Sequence, residues 1–97
     1  MTGFVLSPAA RADIEAIWGY TAQRWGPEQA ERYLRLLQAA CEDLAHGRRR
    51  GRSAEHIRPG YLRAEVGSHI LFFRHTQAGV IDIIRILHRR MDTDRHL

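Results

Sequence analysis

The chain has no lysine, no asparagine, a single cysteine and no apolar run of membrane-spanning length. Each absence removes a class of function. Without lysine there is no side-chain amine to act as a base, a Schiff-base former or a phosphate ligand. All fifteen cationic residues are arginine, whose planar guanidinium stays protonated and meets phosphate or carboxylate through paired N–H donors. Cys41, the lone cysteine, leaves no internal disulfide to form, and its place in a helical apolar series suits core packing better than reactivity. Nothing approaches the roughly eighteen uninterrupted apolar residues of a membrane span. The first residues lack the basic start, apolar stretch and small-residue cleavage site of a signal peptide. The expected compartment is the cytoplasm, with no membrane partner. Ninety-seven residues predict one domain over 1–97, with roughly two-thirds of its extended surface buried and room for a single core.

What is present is a local excess of positive charge. From Gly47 to Arg58 stand Arg48, Arg49, Arg50, Arg52 and Arg58 against Glu55 alone, a balance of +4 that equals the net charge of the whole chain. The remainder is electrically neutral, so the excess is one patch. Such a patch is either a solvated loop or an electrostatic contact for an acidic partner or a phosphate backbone.

The periodicity divides the chain in two. Phe4-Val5-Leu6 is a short apolar run ending at Ser7-Pro8, where serine caps free backbone N–H groups and proline suits the first helical position. Ile14, Ile17, Trp18, Thr21 and Trp25 then share one helical stripe. Gly26-Pro27 stops this helix and opens another, whose stripe is Ala30, Tyr33, Leu34, Leu37, Cys41 and Leu44, closing at Gly47. So short a connection predicts an antiparallel helical hairpin. Beyond the basic segment the period becomes 2. Leu62, Ala64 and Val66 alternate with Arg63 and Glu65, Gly67-Ser68 is a hairpin turn, and Ile70 to Phe73 is apolar on both faces, as in an interior strand. After a turn at Gln77-Ala78-Gly79, Val80 to Leu87 reads as a central strand interrupted by Asp82 and Arg85. The tail from Met91 to Leu97 shows no period. The predicted fold is α+β in the order β-α-α-β-β-β, a helical hairpin packed on a four-stranded, mainly antiparallel sheet.

This order resembles the ParE/RelE toxin superfamily, over nearly the whole chain from Phe4 to Leu97. Three local signatures look like the ParE branch. They are Leu6-Ser7-Pro8-Ala9-Ala10 followed by Asp13-Ile14, the segment from Arg24-Trp25-Gly26-Pro27 to Tyr33, and Arg85-Ile86-Leu87-His88 with Met91-Asp92 and His96-Leu97. The resemblance implies a toxin of a type II toxin–antitoxin pair, associated with inhibition of DNA gyrase and held inactive by a ParD-like antitoxin whose C-terminal segment wraps the toxin. RelE-like relatives instead cleave messenger RNA on the ribosome, using basic residues on the sheet and an aromatic or histidine acid/base near the C-terminus.

Candidate site residues follow from chemistry within that frame. If the chain were a ribonuclease, Arg74, Arg85 and His88 would stabilise the phosphorane and exchange protons. Met91, however, stands where that branch would place an aromatic acid/base, so no catalytic residue is expected and a non-catalytic role is favoured. Arg85 has a second reading, as a structural residue paired with Asp82 or Glu65. For antitoxin binding the candidates are Trp18, Trp25, Tyr33, Arg58, Arg63 and Arg74, aromatic anchors with charged neighbours; Tyr20 lies beside the same stripes. For the target they are Arg85, His88, Arg89, Arg90, Met91 and His96. Direct nucleic-acid binding is not expected, because no recognition motif accompanies the arginines. The six histidines include no His-x-x-x-His pair, so no metal site and no cofactor are expected, and they read as scattered surface residues.

Overall fold

The computed structural model describes residues 3–91 and 93–97. Strand β1 (Gly3–Leu6) leads into helix α1 (Pro8–Trp25), then helix α2 (Pro27–Ala45), β2 (Arg52–Ser53), β3 (Leu62–Val66), β4 (His69–His75), β5 (Val80–His88) and a single turn of helix, α3 (Thr93–His96). The strands form one mixed sheet in the order β1-β5-β4-β3-β2. Only the β1–β5 pair is parallel; the other three pairings are antiparallel. Serine and proline start α1 as their chemistry dictates, with Ser7 Oγ accepting from the Ala10 N–H at 2.9 Å and Pro8 in the first turn. The same hydroxyl donates to the Ile84 carbonyl at 2.6 Å, tying the helix start to β5. Gly26, at φ +91°, is the whole connection between the helices, and the hairpin is antiparallel.

The expected four strands are corrected to five. Arg52–Ser53 adds an edge strand beside Arg63 and Leu62, and two residues carry too little alternation to be seen in sequence. Gly51 permits it: a β-carbon there would stand 2.5 Å from the Phe73 ring and 3.0 Å from the Arg63 carbonyl. The strand Val80–His88 is interior but second in the order; β4 is the middle strand. The register jumps from Phe73↔Ile83 to Phe72↔Arg85, leaving Ile84 as an extra residue in β5, a β-bulge that re-aims the side chains beyond it.

Both faces of the sheet are covered. On one, Ala10 and Ile17 of α1 and Leu37, Ala40, Cys41 and Leu44 of α2 pack on Ala64, Val66, Leu71, Phe73, Ile81, Ile83 and Ile86. Burial and the neighbouring Glu42 push the Cys41 thiol up to about 12, so it is an inert packing group. On the other face, Ala54, Ile57 and Tyr61 close with Leu97 over Ile70, Phe72 and Leu87. The segment 54–61 folds on itself through Ala54 N–H to Tyr61 O at 2.8 Å and Ile57 N–H to Ala54 O at 2.9 Å. Ala54 and Ile57 of the basic segment thus cap the back of the sheet, while Arg52, Glu55, His56 and Arg58 stay exposed.

Candidate functional site

Two exposed aromatic residues, Tyr20 and Trp25, meet near the C-terminal end of α1. Trp25 ends α1 at 64% exposure and Tyr20, one turn earlier, is 56% exposed. Their rings meet edge to face at 6.4 Å, and the Arg24 guanidinium lies 5.1 Å from the Tyr20 centroid. Tyr20 and Trp25 line one side of a groove of about 560 Å³ that runs past Ile17, Thr21 and Gln29 to Tyr33, Ser68, His69 and His88, with Met91 also lining it. Met91 is 47% exposed. Large rings left in water beside a concave surface are the usual chemistry of a partner's anchor points.

The floor is polar and fixed. The Tyr33 hydroxyl accepts from the Ser68 N–H at 3.1 Å and lies 2.6 Å from His69 Nδ1 and 3.4 Å from the Val66 carbonyl. The 2.6 Å contact couples the Tyr33 hydroxyl to the His69 ring, its direction set by the imidazole tautomer. Burial, then the proximity of His88, lowers the His69 pKa below its ordinary value, with Asp13 opposing. Burial likewise raises that of Tyr33, against the Ser68 N–H and Arg89. Gly67, at φ +57°, has no room for a β-carbon, which would fall 2.8 Å from the Tyr33 ring. The His69 and His88 rings meet edge to face at 5.3 Å, and His88 Nδ1 accepts from the Arg90 N–H at 3.1 Å. The expectation of scattered surface histidines is thus corrected for His69, which the Gly67-Ser68 turn places opposite His88 and under Tyr33.

Of the anticipated site residues, the groove brings together Trp25, Tyr33, His88 and Met91. Trp18 is 40% exposed on α1 but outside the groove lining. Arg58 lies on the back of the sheet, donating from Nε to the Leu97 carbonyl at 2.6 Å. Arg63 stands on that back face too, its guanidinium 6.0 Å from the Phe72 centroid. Arg74 pairs with Asp82 at 3.3 Å at the far end of β4. Arg89 and Arg90 follow β5 as exposed residues, and the exposed His96 contributes its carbonyl to Arg85.

Arg85 is committed elsewhere. Its Nε and Nη2 each donate to an Asp13 carboxylate oxygen at 2.8 Å, and Nη1 donates to the His96 carbonyl at 3.0 Å. The Asp13 bond raises the arginine's pKa further. Asp13 also accepts from the Ile86 N–H at 2.9 Å. The expected structural partners, Asp82 and Glu65, are therefore corrected to Asp13, because Asp82 faces Arg74 and Glu65 lies 3.9 Å from Arg63. The conditional ribonuclease trio does not converge. Arg74 and His88 belong to opposite ends of the β4–β5 ladder, roughly 17 Å apart at 3.3 Å per residue, and Arg85 is held in its ion pair.

A second concavity, also about 560 Å³, lies beside β2 and is lined by Arg49, Arg50, Arg52, Ser53, His56, Arg63, Ala64 and Glu65. Sequence reasoning saw these arginines as a charge excess but not that β2 folds them against Arg63. Among the described residues no group of three or more histidine, cysteine or acidic side chains is placed to hold a metal, and no helix is long and apolar enough to cross a membrane.

Comparison with known proteins gives one consistent answer. Residues 4–93 match the family model described as the ParE toxin of type II toxin–antitoxin systems. Toxin ParE1 of Mycobacterium tuberculosis is 53% identical over 94 residues, covering 97% of this chain and 96% of the relative. Toxin ParE1 of Caulobacter vibrioides is 45% identical over 98 residues, covering 100% and 99%. The fold is that of a chain in a chromosomal ParDE toxin–antitoxin system from P. aeruginosa, with a TM-score of 0.75 at 24% identity over 91% of this chain and 95% of the other. The chain belongs to the ParE family, the toxins of type II toxin–antitoxin systems.

Proposed function

We propose that this toxin arrests growth in the cytoplasm by binding DNA gyrase without catalysing a reaction, and that a ParD-like antitoxin neutralises it by laying a segment into the aromatic groove. The observation that carries the antitoxin half is the groove itself. Trp25, Tyr20 and Met91 are exposed around a hydrogen-bonded floor of Tyr33 and His69, which suits an amphipathic segment with apolar anchors and a few polar groups. Family membership supports the toxin assignment, and the scatter of Arg74, Arg85 and His88 favours binding over catalysis. Trp25→Ala removes a central anchor while leaving the core untouched. It is expected to weaken the cognate antitoxin by about 30-fold or more, the loss typical of a truncated aromatic hot spot, when affinities are compared by calorimetry. An affinity unchanged within about twofold would place the antitoxin elsewhere. The gyrase half is tested by inhibition of supercoiling.

A further inference from the structure

The arginine-lined concavity beside β2 has a charge arrangement that the fold alone does not account for. Four arginines line it against one glutamate. Arg52 and Arg63 are direct cross-strand neighbours, so their stems leave strands about 4.8 Å apart, and like charges directly opposite destabilise a sheet pair. Compensation is slight. Glu65 reaches Arg63 only at 3.9 Å, and Arg49 donates to the Glu65 backbone carbonyl at 2.9 Å, not to its carboxylate. Among the described residues Arg50 and Arg52 have no carboxylate within ion-pair distance. Among the described residues Asp43 pairs with Arg48 at 2.9 Å, and Glu55 accepts from the Gly60 N–H rather than pairing with an arginine. Gly51, which tolerates no β-carbon, presses this segment onto the sheet and fixes Arg50 and Arg52 beside Arg63.

We infer that this concavity is a phosphodiester-binding site, which holds the backbone of a nucleic-acid strand without reading its bases. The fit is chemical. Guanidinium groups meet phosphate oxygens through paired donors, and an anion between Arg52 and Arg63 turns their repulsion into joint attraction. Among the described residues the one ring lining the pocket is that of His56, which makes no platform for successive bases, so the four guanidinium groups carry the contact, which is also why no recognition motif accompanies the arginines. An acidic peptide would need apolar anchors as well as charge, and the pocket's only apolar lining residue is Ala64. The site lies on the opposite face of the sheet from the aromatic groove, and the inference is independent of the gyrase reading.

The test is fluorescence anisotropy of the full chain with a labelled 20-base-pair DNA duplex and, separately, a 20-nucleotide RNA, across a salt series. Binding to either is expected, with the logarithm of the affinity falling linearly with that of the salt concentration. Arg50→Gln with Arg52→Gln is expected to weaken it at least about tenfold and to reduce the slope by roughly two units, one per lost phosphate contact. Arg11→Gln with Arg35→Gln removes the same net charge from exposed helical positions and is expected to leave the slope unchanged. Thermal melts of both double variants check that each remains folded. No binding at low salt, equal loss in both double variants, or displacement by poly-glutamate as effective as by unlabelled duplex at equal charge would each overturn the inference.

Discussion

His69 shows how a single residue is defined by its surroundings. Its Nδ1 lies 2.6 Å from the Tyr33 hydroxyl, and its ring packs against His88. Protonating it places a charge in a partly desolvated site beside a second imidazole. The folded pKa is accordingly lowered from 6.5. As the pH falls below 6.5 the unfolded chain takes up a proton that the folded chain refuses, so stability drops from about pH 6.5 down to the lowered folded value and then levels off. Above pH 6.5 both states are neutral and the contribution is fully present. Melting temperatures of the native chain and His69→Gln, compared at pH 7.5 and 5.5, are expected to show a larger acid loss in the native chain. Equal losses would assign the pH dependence to other groups. The sequence showed His69 as one of six histidines. It could not show the register that sets His69 opposite His88, because that depends on a two-residue turn and a partner strand nineteen positions later.

At the scale of elements, Asp13 solves a problem created by the topology. β1 pairs with β5 only as far as Leu6↔Ile83, after which the chain turns into α1 and leaves the β5 edge without a neighbouring strand. Ser7 N–H and Oγ take the Ile83 and Ile84 carbonyls, and Asp13 takes the Ile86 N–H. The Leu6-Ser7-Pro8 and Asp13 signature and the Arg85-Ile86 signature are thus two halves of one joint between helix and strand edge. Asp13→Ala leaves the Arg85 charge with no counterion, held by the His96 carbonyl alone, and the Ile86 donor unpartnered in a part-buried place. It is expected to cost about 3 kcal/mol, read by denaturant unfolding, with Asp13→Asn costing less because an acceptor remains. A loss below about 0.5 kcal/mol would contradict this role. The helices and the long strands were legible because amphipathic periodicity reports directly which face is buried. β2 and α3 were not, since two and four residues give no period. β2 exists because Gly51 allows close contact with Phe73.

On the scale of the whole molecule, the sheet separates two surfaces of different chemistry. The helical face ends in an aromatic groove, and the opposite face carries the arginine concavity. Sequence reasoning placed aromatic and arginine candidates in one antitoxin site, because it could not see which side of the sheet each occupied. Trp25 and Tyr33 line the groove, whereas Arg63 lies behind the sheet and Arg74 at the far end of β4. The free toxin is proposed to disable gyrase by binding it. The most direct measurement is supercoiling of relaxed plasmid by gyrase and ATP across a concentration series of the antitoxin-free chain. Inhibition that saturates with toxin concentration and is relieved by the cognate antitoxin is the predicted result. Unimpaired supercoiling by gyrase in the presence of a demonstrably folded toxin, at concentrations well above that of the enzyme, would contradict it.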